Sequence, residues 1–294
     1  MSQSEFDQGL PNGIGIAPYL RMKQEGMTEN ESRIVEWLLT PGNLSEAPAI
    51  KDVAEALMVS EAMIVKVSKL LGFSGFRNLR TALVDYFSQS EQVLPAELSF
   101  DEAPQDVVNK VFNITLRTIM EGQSIINVDE IHRAARFFFG AKQRDLYGVG
   151  GSNAICADIH HKLLRIGVRC HAYQDAHIMM MSAALLQEGD VVLVVSHSGR
   201  TSDLKAAVEL AKKNGAKIIC ITHSYHSPIA KLADFIICSP APETPLLGRN
   251  ASARILQLTL LDAFFVSVAQ QDIEKATLNM EKTGAIVDFF RHNR

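Results

Sequence analysis

The residues with the clearest chemical potential are Ser196-His197-Ser198-Gly199-Arg200-Thr201, which follow the apolar run VVLVV and precede a helical segment from Asp203 to Lys213. Hydroxyls and main-chain N–H groups converge there, at the carboxyl end of a buried strand and the start of a helix, where open α/β sheets bind ligands. A phosphate monoester fits: its oxygens accept hydrogen bonds from Ser196, Ser198 and Thr201, and Gly199 lets the chain curl around them. The alternative is an ordinary strand-to-helix turn with Thr201 as its cap. A second loop, Tyr147-Gly148-Val149-Gly150-Gly151-Ser152, also follows a strand and opens a helix, and Gly150 allows the backbone to approach an anion closely. It is not a dinucleotide fingerprint, because Asn153 stands where the third glycine is needed, and neither loop has the spacing of a nucleotide-triphosphate P-loop.

The histidines do not add a metal or acid–base centre. His160 and His161 are adjacent and point apart on a helix, His223 and His226 flank a turn, and there is no H-E-x-x-H. His197 is either a ligand contact or a polar loop residue. Glu243 and Arg249 belong to a Pro-rich loop that reaches a sugar hydroxyl, reaches a neighbouring subunit, or is plain surface. The four cysteines lack C-x-x-C pairing and read as small apolar core residues in a reducing compartment.

A different chemistry is written in the first third of the chain. Three short helices can be drawn between Met27 and Leu71: one capped by Thr28 and stopped at Pro41-Gly42, one carrying Ile50, Val53, Ala54 and Leu57 on a single face, and one capped by Ser60. The stripe Ile64, Val67, Leu71 turns Ala62, Lys66 and Lys69 outward, and small Ala54 permits the close crossing of a helix-turn-helix. Ser60, Glu61 and Ala62 would then face base edges, Lys66 a guanine or a phosphate, and Lys69, Arg77 and Arg80 phosphates. The alternative is a three-helix packing module with a solvated basic face. One such domain reads few base pairs, so DNA binding implies a homodimer or homotetramer on a two-fold site.

These loops and faces require two kinds of scaffold. Ser88 to Pro104, with two prolines and a group of acidic residues, separates a helical region (1–87) from the remainder (105–294) and reads as a linker (88–104). After it come helical stretches near Gln105 to Met120 and Val128 to Phe139. The runs LYGVG, VRCHAY, VVLVVS, KIICIT and DFIICS then alternate with helical segments, as expected for a parallel sheet covered on both faces. The expected class is α/β overall, an all-α helix-turn-helix domain followed by a three-layer α/β/α sandwich. The chain has 294 residues, 47% of them hydrophobic, with 29 basic and 33 acidic side chains and a net charge of −4. Disorder and a single small module are therefore excluded. The acidity conceals a local excess: from Ser60 to Arg80 four basic residues face one acid. The amino terminus lacks a basic segment followed by an apolar core, and Ile255 to Ala269 is interrupted by Gln257, Thr259, Asp262 and Ser267, so a cytoplasmic chain with no membrane span is expected.

The helix-turn-helix with LLGFSGFRNLR, then GVGGSN, then SHSGRTSD, strongly resembles the RpiR family of bacterial transcriptional regulators across nearly the whole chain. That resemblance implies a C-terminal sugar isomerase (SIS) domain that senses phosphosugars, with phosphate donors at Ser196, Ser198 and Thr201 and a sugar-phosphate contact at Ser152. It implies a repressor of sugar catabolism genes, an operator DNA partner, an effector such as an allose- or ribose-related phosphate, and neither a cofactor nor a metal. Met63 and Lys66 depart from the Thr and Arg of the family's S-E-A-T-I-x-R, and Lys lacks the bidentate fork of Arg. The enzymatic alternative, an aldose–ketose phosphosugar isomerase in the same pocket, needs an acid and a base that the sequence does not place.

Overall fold

The computed structural model describes residues 15–24, 26–44, 47–90, 101–241 and 251–292. The chain forms two units, one reaching to Ile126 and the other running from Asn127 to Ser239 and from Leu256 onward.

The first unit is helical: α1 (Ile16–Gln24), α2 (Glu29–Leu39), α3 (Ile50–Leu57), α4 (Glu61–Leu70), α5 (Phe76–Ser90) and α6 (Pro104–Ser124). Local chemistry sets most of these ends. Thr28 begins α2 in a capping box, its N–H donating to Glu31 Oε2 at 2.8 Å, and Pro41 opens a 3-10 turn once α2 has ended. Met58 closes α3 in the left-handed conformation (φ 54°), and Ser60 Oγ accepts from the Met63 N–H at 3.3 Å to start α4. The amphipathic stripes meet as the spacing predicts, with Ile34, Val35, Leu38, Val53, Ile64, Val67 and Leu71 fully buried. Sequence periodicity leaves out α1, whose Tyr19 and Leu20 are also fully buried.

The far end of α6 belongs to this same helical core. Glu121 is buried and receives Arg21 from α1, Tyr86 from α5 and, at 2.8 Å, Arg117 Nε from its own helix. Burial pushes the Glu121 carboxyl up, but the two guanidiniums and the Tyr86 hydroxyl outweigh it and hold the group below the usual carboxylate range. Burial, and then the Glu121 charge, push the Tyr86 hydroxyl up to about 12. Removing either arginine would leave a buried charge under-compensated, which is the costly way to break such a cluster.

The second unit opens with α7 (Val128–Gly140) and continues as β1 (Arg144–Tyr147), α8 (Gly151–Arg165), β2 (His171–Tyr173), α9 (Ala176–Leu185), β3 (Val191–Val195), α10 (Ser202–Lys213), β4 (Lys217–Thr222), β5 (Phe235–Cys238), α11 (Ala251–Ala269) and α12 (Ile273–His292). The five strands are all parallel, in the order β2-β1-β3-β4-β5, with Leu146 opposite Leu193 and Val194 opposite Cys220. Every residue of β3 is buried, as a strand covered on both faces requires. The VRCHAY run shortens to three paired residues, because β2 is an edge strand with β1 as its single neighbour. The edge at β5 is tied to α7, where Glu130 Oε1 accepts from the Ile236 N–H at 3.1 Å.

From Leu256 onward α11 buries Leu260, Leu261, Phe264 and Val268. The stretch 251–290 is long and apolar enough to cross a membrane, but half of its most apolar window is buried within the protein, as in a core helix. All four cysteines are free and buried. Burial pushes the Cys156 and Cys170 thiols up to about 12, consistent with inert core residues.

Candidate functional site

The strand order creates the site. From β1 the chain moves outward to β2 on one side, whereas from β3 it moves to β4 on the other, so the connections diverge between β1 and β3. A crevice opens at such a switch point, outside the carboxyl ends of the strands. Both loops singled out from the sequence begin there, one after Tyr147 and one after Val195.

In the β3 loop, Ser196 is buried and its Oγ accepts from the Gly199 N–H at 3.2 Å, folding the loop back on itself. Ser198 is exposed, and its Oγ accepts from the Arg200 N–H at 3.2 Å. Thr201 is exposed at the N-cap position of α10, yet its hydroxyl makes no capping bond. The turn is therefore not an ordinary capped one. Gly199 is required twice over: its φ is +60°, and a Cβ there would lie 2.2 Å from Ser227 Oγ and 2.4 Å from Ser227 Cβ.

That close approach exposes a layer the sequence reading passes over. The segment after β4 braces the β3 loop from behind: the His223 N–H donates to the His197 carbonyl at 2.9 Å, the Thr222 hydroxyl to the same oxygen at 3.2 Å, and the Ile229 N–H to the Gly199 carbonyl at 3.0 Å. Thr222, Ser224 and Ser227 are fully buried. The one local signal for them is the Ser- and His-rich T-H-S-Y-H-S-P immediately after a buried strand. The His197 ring lies 5.0 Å from that of His223, and burial pushes its pKa down, which keeps the imidazole neutral at pH 7.

The β1 loop is equally close-packed. A Cβ on Gly148 would come within 2.7 Å of Cys156 Sγ and 2.8 Å of the Ser152 carbonyl oxygen. Gly150 sits at φ +58° at the start of α8, and Ser152 lies in the helix's first turn. Asn153 Nδ2 donates to Gln174 Oε1 at 2.8 Å, tying this turn to the end of β2. Gly150, Ser152, Ser196, Ser198 and Thr201 thus all lie on the loops that leave β1 and β3, with two helix N-termini beside them. Among the described residues no group of three His, Cys, Asp or Glu side chains could hold a metal ion. Glu243 and Arg249 lie outside the described residues.

In the helical unit, Ser60, Glu61, Ala62, Lys66, Lys69 and Arg77 are exposed on or beside α4. Two of the basic residues also hold the fold. Lys66 Nζ is 2.8 Å from Glu31 Oε1, and Glu31 is buried while closing the α2 capping box. The bond to Lys66, and then that to the Thr28 N–H, draws the Glu31 carboxyl down to about 2. Arg80 is half-buried and donates to the carbonyls of Ala47 and Pro48 at 2.9 and 2.7 Å, fixing the segment that enters α3. Its placement differs from that of Arg77, which is exposed on the surface of α5. From α2, the Arg33 guanidinium reaches the Leu57 carbonyl at the end of α3 at 3.3 Å.

Residues 14–90 match the helix-turn-helix domain of the rpiR family and residues 137–267 match the SIS domain. The chain is 90% identical over 290 residues to the HTH-type transcriptional regulator RpiR of Escherichia coli strain K12, covering 99% of this chain and 98% of that one. It is 28% identical over 278 residues to an uncharacterised HTH-type transcriptional regulator of Caldanaerobacter subterraneus subsp. tengcongensis, covering 95% and 99% of the two chains. Among solved structures, the Vibrio vulnificus NanR protein complexed with ManNAc-6P superposes with a TM-score of 0.59 at 23% identity, over 92% of this chain and 98% of that one. The sugar isomerase domain of an RpiR transcription factor from Sphaerobacter thermophilus does so with a TM-score of 0.57 at 19% identity, over 62% and 99%. At these identities the structures show a shared fold.

Proposed function

The chain belongs to the rpiR family of helix-turn-helix transcriptional regulators, and from that premise we propose that it is a cytoplasmic repressor whose hold on its operator is set by a sugar phosphate bound in the β1/β3 crevice. The observation that carries the ligand half is the β3 loop, in which Gly199 is pressed against Ser227 so that Ser196, Ser198 and Thr201 ring a helix start with hydroxyls. The phosphate sits on Ser196, Ser198, Thr201 and the α8 start at Gly150 and Ser152. The sugar extends across the crevice, where allose- or ribose-related phosphates are the first to test, alongside the ManNAc-6P carried by the Vibrio neighbour.

In the DNA half, Ser60, Glu61, Ala62 and Lys66 face bases while Lys69 and Arg77 neutralise phosphates; Arg80 adds its charge while holding the turn before α3. A homodimer or homotetramer supplies two such faces to a two-fold operator. Ligand changes operator affinity only as far as it binds one arrangement of the assembly better than another. The test is fluorescence anisotropy of the protein with its own upstream DNA across salt concentrations, repeated with each sugar phosphate that raises its melting temperature. Salt-dependent, sequence-selective binding that one sugar phosphate shifts is expected. Binding indifferent to every stabilising sugar phosphate would remove the sensor reading.

A further inference from the structure

The crevice occupies one end of the sheet, outside the carboxyl ends of β1 and β3. At the other end, wholly within the α/β unit, lies a cavity of about 420 Å³, in the size range of small-molecule sites. Arg144, the first residue of β1, lines it together with Arg169, just before β2, and Lys275, in the first turn of α12. Asp272 is the single acid on the lining, and its Oδ1 already accepts from the Lys275 N–H at 3.1 Å where α12 begins. Three cations therefore surround one carboxylate, and among the described residues none of the three is in an ion pair.

Arg144 shows why this matters. It is half-buried, and burial pushes its pKa down, so its charge is held where water compensates it poorly. Its Nε donates to the Phe138 carbonyl at 2.7 Å and its Nη2 to the Phe139 carbonyl, at the end of α7. Those bonds fix the guanidinium plane and leave Nη1 with no acceptor among the described residues. The floor is aliphatic: Ile166 and Val168 from the turn after α8, and Val268 from α11, are buried. The walls are locked to each other. Gly167, at φ +79°, packs so closely on α12 that a Cβ would lie 2.3 Å from Asn279 Nδ2, and that amide donates to the Ile166 carbonyl at 3.0 Å.

From this arrangement we infer a second ligand site, for a small organic anion whose carboxylate or phosphate is taken by Arg144, Arg169 and Lys275 while its apolar body lies on the aliphatic floor. Arg169 supplies a planar fork, Lys275 a point charge and Arg144 one fixed donor. A sugar phosphate suits the cavity poorly, because its hydroxyls would meet aliphatic side chains that cannot hydrogen-bond. A nucleic-acid backbone would use the charges and leave the floor empty. Strand β1 runs from Arg144 at this end to Tyr147 at the crevice, about 10 Å away, so an anion here is placed to act as a second effector. The effector role rests on the sensor reading; the site itself does not.

Isothermal titration of the full chain with benzoate and with phenyl phosphate tests the site and tells a carboxylate ligand from a phosphate one. At least one of the two is expected to bind, and neither inorganic phosphate nor neutral benzyl alcohol, each carrying half of the match, is expected to displace it at equal concentration. Arg169→Gln/Lys275→Gln, which alters two exposed side chains, should weaken the aryl anion by about tenfold or more while the ligand-free melting temperature and the sedimentation mass stay in place. Lys275→Gln alone should give a smaller loss of the same sign, and Ser198→Ala in the crevice none. Failure of both aryl anions to bind, undiminished binding in the double variant, or weakened binding in Ser198→Ala would overturn the inference. So would displacement by inorganic phosphate, which would reduce the site to a patch of charge. A lower sedimentation mass in the double variant would assign these cations to a contact between copies, and displacement by duplex DNA of unrelated sequence would assign them to a nucleic-acid surface; either result defeats the proposal.

Discussion

The two candidate sites are built in opposite ways. In the α/β unit the site is made by the main chain: glycines press loops against a buried second layer, and the hydroxyls presented to a ligand are fixed by where the backbone must go. In the helical unit the candidate site is a row of side chains on the outside of α4 and α5, of which Ser60, Lys66 and Arg80 also hold the fold while Glu61, Ala62, Lys69 and Arg77 are exposed on helix surfaces. Substitution should therefore damage the first site through geometry and the second through chemistry. A single change is expected to silence the sensor by distorting its loop, whereas exposed positions of the helical face such as Lys69 and Arg77 are expected to yield only to removal of the contacting group itself.

The strongest way to break this contrast is at Gly199. Gly199→Ala forces a left-handed residue and a Cβ onto Ser227, and we expect a loss of about 2–4 kcal/mol in the α/β unit with sugar-phosphate binding abolished. Calorimetry showing an unchanged transition would mean the loop yields freely and the main chain does not define the site. Next comes Arg80→Ala, which removes a charged donor from the Ala47 and Pro48 carbonyls. A destabilisation of about 1.5–3 kcal/mol is expected together with weaker operator binding. Arg77→Ala should weaken binding by a comparable phosphate contact and reduce the salt slope by about one, yet leave the denaturation midpoint in place. Equal midpoints for the two variants would erase the distinction drawn between these arginines.

Ser198→Ala sharpens the comparison from the other side. Losing one hydroxyl should cost about 1 kcal/mol in sugar-phosphate affinity, measured by isothermal titration, while ligand-free operator binding stays intact. The smallest effect concerns acid. The folded Glu31 carboxyl titrates near 2, below its ordinary 4.5, so its contribution to stability is present in full above pH 4.5 and is lost as pH falls toward 2. Lys66→Ala should move that loss to higher pH, read as an upward shift of the Glu31 carboxyl in an NMR titration. An unmoved titration would show that the capping box alone sets the group.

How far the sequence foretells each site follows the same division. Helices α2 to α4 are legible because Thr28, Ser60 and the stripes of Ile34, Val53 and Ile64 are local signals. Strands β3 and β4 are legible as apolar runs bounded by turn residues. Helix α1 is not, since Ile16 to Met22 is buried on every side and shows no polar face to set a period. The Arg21–Glu121 pair spans 100 residues and has no local trace. That α6 finds its partners in the helical core likewise has no local trace, because Arg21 and Tyr86 reach Glu121 from distant parts of the chain. The β3 loop could be read as an anion cradle from its hydroxyls, but the buried Thr222, Ser224 and Ser227 behind it depend on the β3–β4 register, which composition does not encode.

The double engagement of Glu31 bears on how this family can change its targets. A regulator acquires a new operator by altering recognition-helix residues one at a time, and position 66 would be an obvious place to begin. Here the lysine there also neutralises a carboxylate that lies beneath the surface and starts a different helix. Replacing it with an apolar or acidic residue strands that carboxylate, so the exchange succeeds in company with a change at position 31. The two positions, 35 residues apart, are expected to travel together whenever the recognition helix is transplanted into another scaffold.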